Sequence, residues 1–237
     1  SLFIWLKYRP DILIGTGGFA SGPMLFIGNL MGSKTLLQEQ NSYPGITNKL
    51  LAKKANAIAV AYPGMERFFP KEKITYTGNP LRSSLLQIEG LKDRALKHFG
   101  FSGKRKQLVI LGGSLGAQRI NVLVATQLEF FNALDLDVIW QCGKLYYDRY
   151  QNLATDRIKI YPFIKEMNLL YSLADITISR AGAASVSELC LVGKTTFLIP
   201  SPNVAENHQF HNANALVAKN AAIMIEEKDL DSSFQAV

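Results

Sequence analysis

Two cysteines, three histidines and two tryptophans among 237 residues leave little material for a disulfide framework or a metal centre. Cys142, in IWQCG, and Cys190, in SELCLV, sit inside apolar patterns without metal-ligand spacing, so both read as small buried hydrophobes of a reducing compartment. No run approaches the roughly 20 apolar residues that a membrane-spanning helix needs. Nothing reads as a cleaved signal peptide, and there is no low-complexity segment or short tandem repeat. Aromatics do not interleave with the basic residues, which argues against nucleic acid as a partner.

What is present is a globular composition, 48% hydrophobic, enough for one large core or two modest ones. The net charge of +7 is unevenly placed. Residues 1–105 hold 15 basic and 6 acidic side chains, and 106–237 hold 11 and 13. A basic first half beside a mildly acidic second half points to two bodies with different neighbours. The lysines of KLLAKKA suit either a solvated surface or an anionic membrane.

Short β-rich runs alternate with helical patterns along the chain. Strands are expected over Asp11–Ile14, Thr35–Gln38, Ala57–Ala61, Ile74–Thr77, Gln107–Leu111, Asp137–Gln141, Lys159–Tyr161, Asp175–Ser179, Thr196–Ile199 and Ala222–Ile225. Helices are expected in NKLLAKKA, RINVLVATQLEFFNAL, MNLLYSLA and SVSELCLVG. Such alternation predicts an α/β fold with parallel, doubly wound sheets. The polar, basic stretch GNPLRSSLLQIEGLKDRALKHFGFSGKRKQ interrupts the series, which places a domain boundary near Leu81–Ser84 and gives domains 1–82 and 83–237. The chain opens on SLFIWLKYRPDILIG without an initiator Met and stops at EEKDLDSSFQAV, so residues before Ser1 and after Val237 are expected.

Three strands run straight into small residues. ILIGTGGFASGP places Gly15, Thr16, Gly17 and Gly18 after the first strand, and VILGGSLGA places Gly112, Gly113, Ser114 and Gly116 after a second. ITISRAGAASVSE places Arg180, Gly182, Ala183, Ala184 and Ser185 at a helix start. In a parallel sheet, anions bind where strands end and helices begin, because backbone N–H groups and the helix dipole converge there. Tight packing is the competing explanation for the glycines. Ser185 and Glu188 fit an S-x-x-E capping box, and Glu188 fits equally a bidentate grip on ribose hydroxyls. QEQNSYPGITNK, with Gln40 and Asn41, and PSPNVAENHQFHNANAL, with His208, Gln209, His211 and Asn212, supply amides and imidazoles of the kind that pair with sugar hydroxyls.

Together, GTGGFASGP, QEQNSYPGITNKLLAKKA, GNPLR, LGGSLGAQRIN and SRAGAASVSEL…IPSPNVAENHQFHNA closely resemble the MurG family of bacterial glycosyltransferases, in the family's order and over essentially the whole chain. The resemblance implies a GT-B fold, two doubly wound Rossmann-like domains facing across a cleft. It implies inverting transfer of N-acetylglucosamine from UDP-GlcNAc to a muramyl-pentapeptide diphosphoryl-undecaprenol lipid, by a peripheral enzyme on the anionic cytoplasmic face of the bacterial cell membrane. Gly15, Thr16, Gly17 and Gly18 would face the acceptor diphosphate. Asn41 would contact the GlcNAc sugar, Arg82 and Ser114 the donor diphosphate, and Ile164 the uracil through its backbone. Ala183, Ala184 and Ser185 would offer helix amides, Glu188 would hold the ribose, and Gln209 with His208 beside it would hold the sugar hydroxyls. Arg82 would stabilise the transition state. No cofactor and no metal is implied, and no general base can be assigned, because the family's histidine-bearing glycine loop would precede Ser1. A UDP-GlcNAc 2-epimerase and a non-catalytic UDP-sugar-binding fragment are the competing readings.

Overall fold

The computed structural model describes residues 1–236 and divides into two compact units, Ser1–Pro80 with Asn203–Asn212, and Leu81–Pro202 with Ala213–Val237. The boundary therefore falls between Pro80 and Leu81, two residues before the expected one, so Arg82 belongs to the second unit. Residues 203–212, expected in the second domain, group with the first.

The first unit comprises α1 (Leu2–Tyr8), β1 (Ile12–Gly15), α2 (Gly18–Leu30), β2 (Lys34–Glu39), α3 (Ile46–Leu51), β3 (Ala57–Val60) and β4 (Ile74–Tyr76). Its strands pair in parallel in the order β1-β2-β3-β4. Among the described residues this order follows the chain without reversal. Period-2 alternation aims Leu37, Ile58 and Val60 at one face, where Leu25 of α2 and Leu51 of α3 close a core with Met65 and Phe69. Ile12 and Ile14 of β1 are 64% and 66% exposed, and no residue of α1 is buried. Trp5 of α1 donates to Ser33 Oγ at 2.8 Å, and Ser33 in turn donates to the Pro10 carbonyl at 2.6 Å.

The second unit comprises α4 (Lys92–Phe99), β5 (Lys106–Leu111), α5 (Gln118–Thr126), α6 (Leu128–Ala133), β6 (Leu136–Gln141), α7 (Tyr147–Tyr150), β7 (Ile158–Tyr161), α8 (Met167–Leu173), β8 (Ile176–Ser179), α9 (Ala183–Val192) and β9 (Thr195–Leu198). The chain then runs through α10 (His208–Val217), β10 (Ile223–Met224) and α11 (Leu230–Ser233). The division between the units falls inside α10. The helical run RINVLVATQLEFFNAL is two helices, because Gln127 leaves helical geometry at φ −105° and ψ 9°. The Thr126 hydroxyl also turns back to the Leu123 carbonyl at 2.9 Å, which competes with the backbone ladder.

All six strands are parallel, in the order β10-β9-β8-β5-β6-β7. This is the doubly wound dinucleotide-fold order, starting at β5 and reversing between β5 and β8. Alternating side chains fill both faces: Val109, Leu111 and Ile139 join one core, and Leu108, Ile110, Val138 and Trp140 the other. Burial on both faces explains why these strands read as unbroken apolar runs.

Candidate functional site

In a sheet of this order the ligand crevice lies outside the strand carboxyl ends, at the point of reversal. The β5–α5 and β8–α9 loops therefore flank that point, and these are the loops built from Gly112–Gly116 and Arg180–Ser185. The glycines divide into two kinds. A side chain at Gly116 (φ +81°) would overlap the Cys142 carbonyl oxygen, so this glycine serves backbone packing. Gly113 (φ +86°) faces open space, and Ser114 beside it is exposed.

Helix α9 begins at Ala183 with Gly182 as its N-cap and no side-chain cap. Ser185 is thus the third helical residue and Glu188 the sixth, which rules out the capping box. The first-turn amides, on Ala183, Ala184 and Ser185, have no acceptor within the helix and point out of its positive end. Glu188 is instead buried, at 7% exposure. Its Oε2 accepts from the Tyr171 hydroxyl at 3.3 Å, and its Oε1 lies 3.5 Å from Arg82 Nε. Arg82 and Glu188, identified from separate motifs, are ion-paired here, with the arginine side chain 53% exposed. Burial, reinforced by the Glu188 charge, pushes the Tyr171 phenol far above its ordinary pKa, so it remains a neutral donor. Arg180 is not free for a ligand: it is bonded to the Ile199 carbonyl and paired with Glu227.

Ile164 is buried, and its N–H donates to Gln141 Oε1 at 2.8 Å. Gln141 Nε2 donates in turn to the Gly113 carbonyl at 3.1 Å. One buried amide at the end of β6 thus joins the glycine loop to the Ile164 loop. Neither Gln141 nor Tyr171 was identified from sequence. The available signal was a polar residue closing a buried strand and a tyrosine inside the apolar run MNLLYSLA, since a buried phenol needs a partner.

The first unit holds the other candidates. Gly17 (φ +83°) caps α2 and Gly18 (φ +76°) opens it, both in the left-handed region. Gly15 is a packing glycine, whose Cβ would overlap the Leu25 side chain. The Thr16 carbonyl accepts from Gln40 Nε2 at 2.9 Å. A cavity of about 420 Å³ opens here, lined by Thr16, Gly17, Gly18, Asn41, Asn48 and Glu206 among others. Glu39, only 2% exposed, accepts from Asn41 N (3.0 Å), Asn41 Nδ2 (3.3 Å), Gly45 N (3.2 Å) and Asn48 Nδ2 (2.8 Å). Four donors around one carboxylate set the Asn41 loop, and Glu39 too was missed from sequence. Asn212 completes the clasp, donating to Asn41 Oδ1 at 3.0 Å and accepting from Ser42 N at 2.9 Å. His208 Nδ1 lies 2.8 Å from the Ala205 carbonyl, and Gln209 is half-buried beside it on α10. Asn41, His208 and Gln209 thus fall in the first unit, while Arg82, Ser114, Ile164, Ala183, Ala184, Ser185 and Glu188 fall in the second.

Two Asp-x-Asp runs occur in the chain, Asp135–Asp137 and Asp229–Asp231. The first opens β6, at the opposite end of the sheet from the loops above, where Asp135 pairs with Arg105 and Arg157 and Asp137 accepts from Gln107. In the second, Asp231 pairs with Arg119. Among the described residues no group of three or more His, Cys, Asp or Glu stands together.

Residues 107–236 match the glycosyltransferase family 28 C-terminal domain, and residues 1–60 match the family 28 N-terminal domain. A relative from Flavobacterium psychrophilum, named as UDP-N-acetylglucosamine--N-acetylmuramyl-(pentapeptide) pyrophosphoryl-undecaprenol N-acetylglucosamine transferase, is 51% identical over 98% of this chain and 63% of its own length. The chain thus spans less than two thirds of the curated relatives it matches. The crystal structure of Acinetobacter baumannii MurG superposes with a TM-score of 0.76 at 28% identity, over 99% of this chain and 67% of that one. A UDP-N-acetylglucosamine 2-epimerase structure, at 12% identity and a TM-score of 0.61 over 99% of this chain and 64% of that one, shares the fold alone.

Proposed function

The chain belongs to glycosyltransferase family 28, and from that membership we propose that it is the greater part of an enzyme transferring N-acetylglucosamine from UDP-GlcNAc to the muramyl-pentapeptide diphosphoryl-undecaprenol lipid. The observation that carries this reading is the pairing of Arg82 with buried Glu188 beside the uncapped start of α9. A nucleoside diphosphate presents a diol and two phosphates a few ångströms apart. Glu188 offers acceptors to the first, while Arg82 and the Ala183–Ser185 amides offer positive charge to the second. Uracil takes the carbonyl of Ile164, whose N–H is already given to Gln141, and Ser114 offers its hydroxyl to a phosphate oxygen. In the first unit, Gly17 and Gly18 present the start of α2 to the acceptor's diphosphate, and Asn41, His208 and Gln209 serve the sugar.

The reaction is a direct displacement at the anomeric carbon. The muramyl hydroxyl attacks and gives its proton to a base, the bond to UDP breaks, and the α linkage is inverted to β. Negative charge grows on the departing diphosphate, so Arg82 and the helix amides bind it more strongly in the transition state than before it, which is where rate is gained. These groups supply the positive charge without a metal ion.

The name carried by relatives at about 50% identity supports the transferase over the 2-epimerase, whose similarity is confined to the fold. The basic first half suits an anionic cytoplasmic membrane surface on which the lipid acceptor is presented. No described helix is long and apolar enough to cross a membrane, so the contact proposed is peripheral. Calorimetric titration with UDP-GlcNAc, with GDP-mannose as control, tests the donor half; selective binding is expected, and equal affinity for both overturns it. Incubation with UDP-GlcNAc and the lipid acceptor tests the reaction on a chain extended to the relatives' length. A disaccharide-lipid product is expected, and N-acetylmannosamine formed without acceptor would establish the epimerase instead.

A further inference from the structure

Tyr171 has no part in the function proposed above, yet its position is peculiar. It sits at 1% exposure on α8 within the larger apolar core, where a phenylalanine would fill the same space without a polar atom to satisfy. The hydroxyl is directed at Glu188 Oε2. Glu188 has three rotatable side-chain bonds, and leaving it free would spread the carboxylate over several rotamers. Tyr171 on one oxygen and Arg82 on the other define the carboxylate plane. Each carboxylate oxygen has two lone pairs, so each retains one position for an incoming hydroxyl. A vicinal diol matches that spacing.

We propose that Tyr171 is a positioning residue of the nucleotide site, holding the Glu188 carboxylate in the orientation that accepts both ribose hydroxyls. The inference rests on the reading of Glu188 as the ribose ligand. The two anchors are unequal: Arg82 is half-exposed and is drawn towards any bound diphosphate, whereas Tyr171 is locked in the core. Once Arg82 turns to the phosphates, the Tyr171 hydroxyl is what still orients the carboxylate. Its raised pKa keeps it a donor while the nucleotide is bound.

The test is calorimetric titration of the wild-type chain and the Tyr171→Phe variant with UDP and with 2′,3′-dideoxy-UDP, alongside thermal midpoints. Wild type is expected to prefer UDP, and Tyr171→Phe to narrow that preference by about 3–10-fold, the range of one hydrogen bond, with affinity for the dideoxy analogue little changed. A purely structural role would weaken both ligands alike and leave the ratio intact, which overturns the proposal. Wild type without any preference would refute the ribose role of Glu188 and this inference with it; a wild-type preference that the variant leaves unchanged refutes this inference alone. Should Tyr171→Phe not fold, Tyr171→Met fills similar space without a hydroxyl and is read the same way.

Discussion

Replacing Glu188 by alanine separates stability from binding, because its buried partner is Tyr171 while the proposed function gives it the ribose. In the free protein the substitution leaves the Tyr171 hydroxyl buried without its acceptor, a cost of about 1–3 kcal/mol. Loss of the Arg82 contact adds little. That pair is long at 3.5 Å and its arginine is half in solvent, so it is worth about 0–1 kcal/mol. Alanine returns up to about 0.5 kcal/mol through helix propensity. The net loss of roughly 1–3 kcal/mol corresponds to a fall of about 2–4 °C in thermal midpoint per kcal/mol for a body of this size. Adding Tyr171→Phe removes the orphaned hydroxyl, so the double variant is expected to recover most of that loss. UDP affinity behaves differently: two ribose hydroxyls lose their acceptor, and the dissociation constant is expected to rise by about 5–150-fold, or 1–3 kcal/mol, whether or not Tyr171 is also changed. Calorimetric titration with UDP and differential scanning of the three proteins provide the measurements. A Glu188→Ala protein that melts early but binds UDP like wild type would refute the ribose assignment. One that melts like wild type would refute the burial argument.

Gly116→Ala meets both a left-handed backbone and the Cys142 carbonyl, whereas Gly113→Ala meets only the backbone term of about 1–2 kcal/mol; chemical denaturation should rank Gly116→Ala as clearly the more damaging. Glu39→Gln sets an amide NH₂ against donors that now surround a carboxylate, and is expected to cost about 1–3 kcal/mol of stability in urea unfolding, while equal stability would show that the four-donor arrangement is not maintained. Cys142 is buried as expected but Cys190 lies at the surface; desolvation by neighbouring atoms still raises both thiol pKa values, with Lys219 partly opposing this at Cys190. Iodoacetamide labelling should therefore be slower than that of a free thiol at the same pH and rise with pH, exposed Cys190 before buried Cys142, and labelling of either as fast as a free thiol near pH 7 would contradict it. Binding to phosphatidylserine vesicles should weaken steeply with salt and fall at least about 30-fold for Lys53→Glu with Lys54→Glu, at about 1 kcal/mol for each lysine lost.

All ten strands of the described residues were legible in the sequence, because short runs rich in apolar and β-branched residues, most of them leading into Gly or Pro, have few other structural outcomes. Their order was not. The reversal between β5 and β8 depends on right-handed crossovers packing on alternate faces, which no local window records. The same limit separates the residues found from those missed. Ser114, Ile164 and Ala183–Ser185 are loop and helix-start positions whose small or backbone character is local. Glu188 was visible, yet local spacing made it equally a cap, and only the placement of the helix start at Ala183 decided between the two. Tyr171, Gln141 and Glu39 act through partners: Tyr171 through a residue 17 positions away, Gln141 through one 23 and another 28 away. Glu39 draws its donors from the following loop and α3, within nine positions, but only once that loop has turned back over β2. Each of these three reads in sequence as an ordinary polar or amphipathic residue inside or at the edge of an apolar run. In the proposed site such a buried polar side chain orients the groups offered to the ligand, and its partners become visible only once the chain has folded around it.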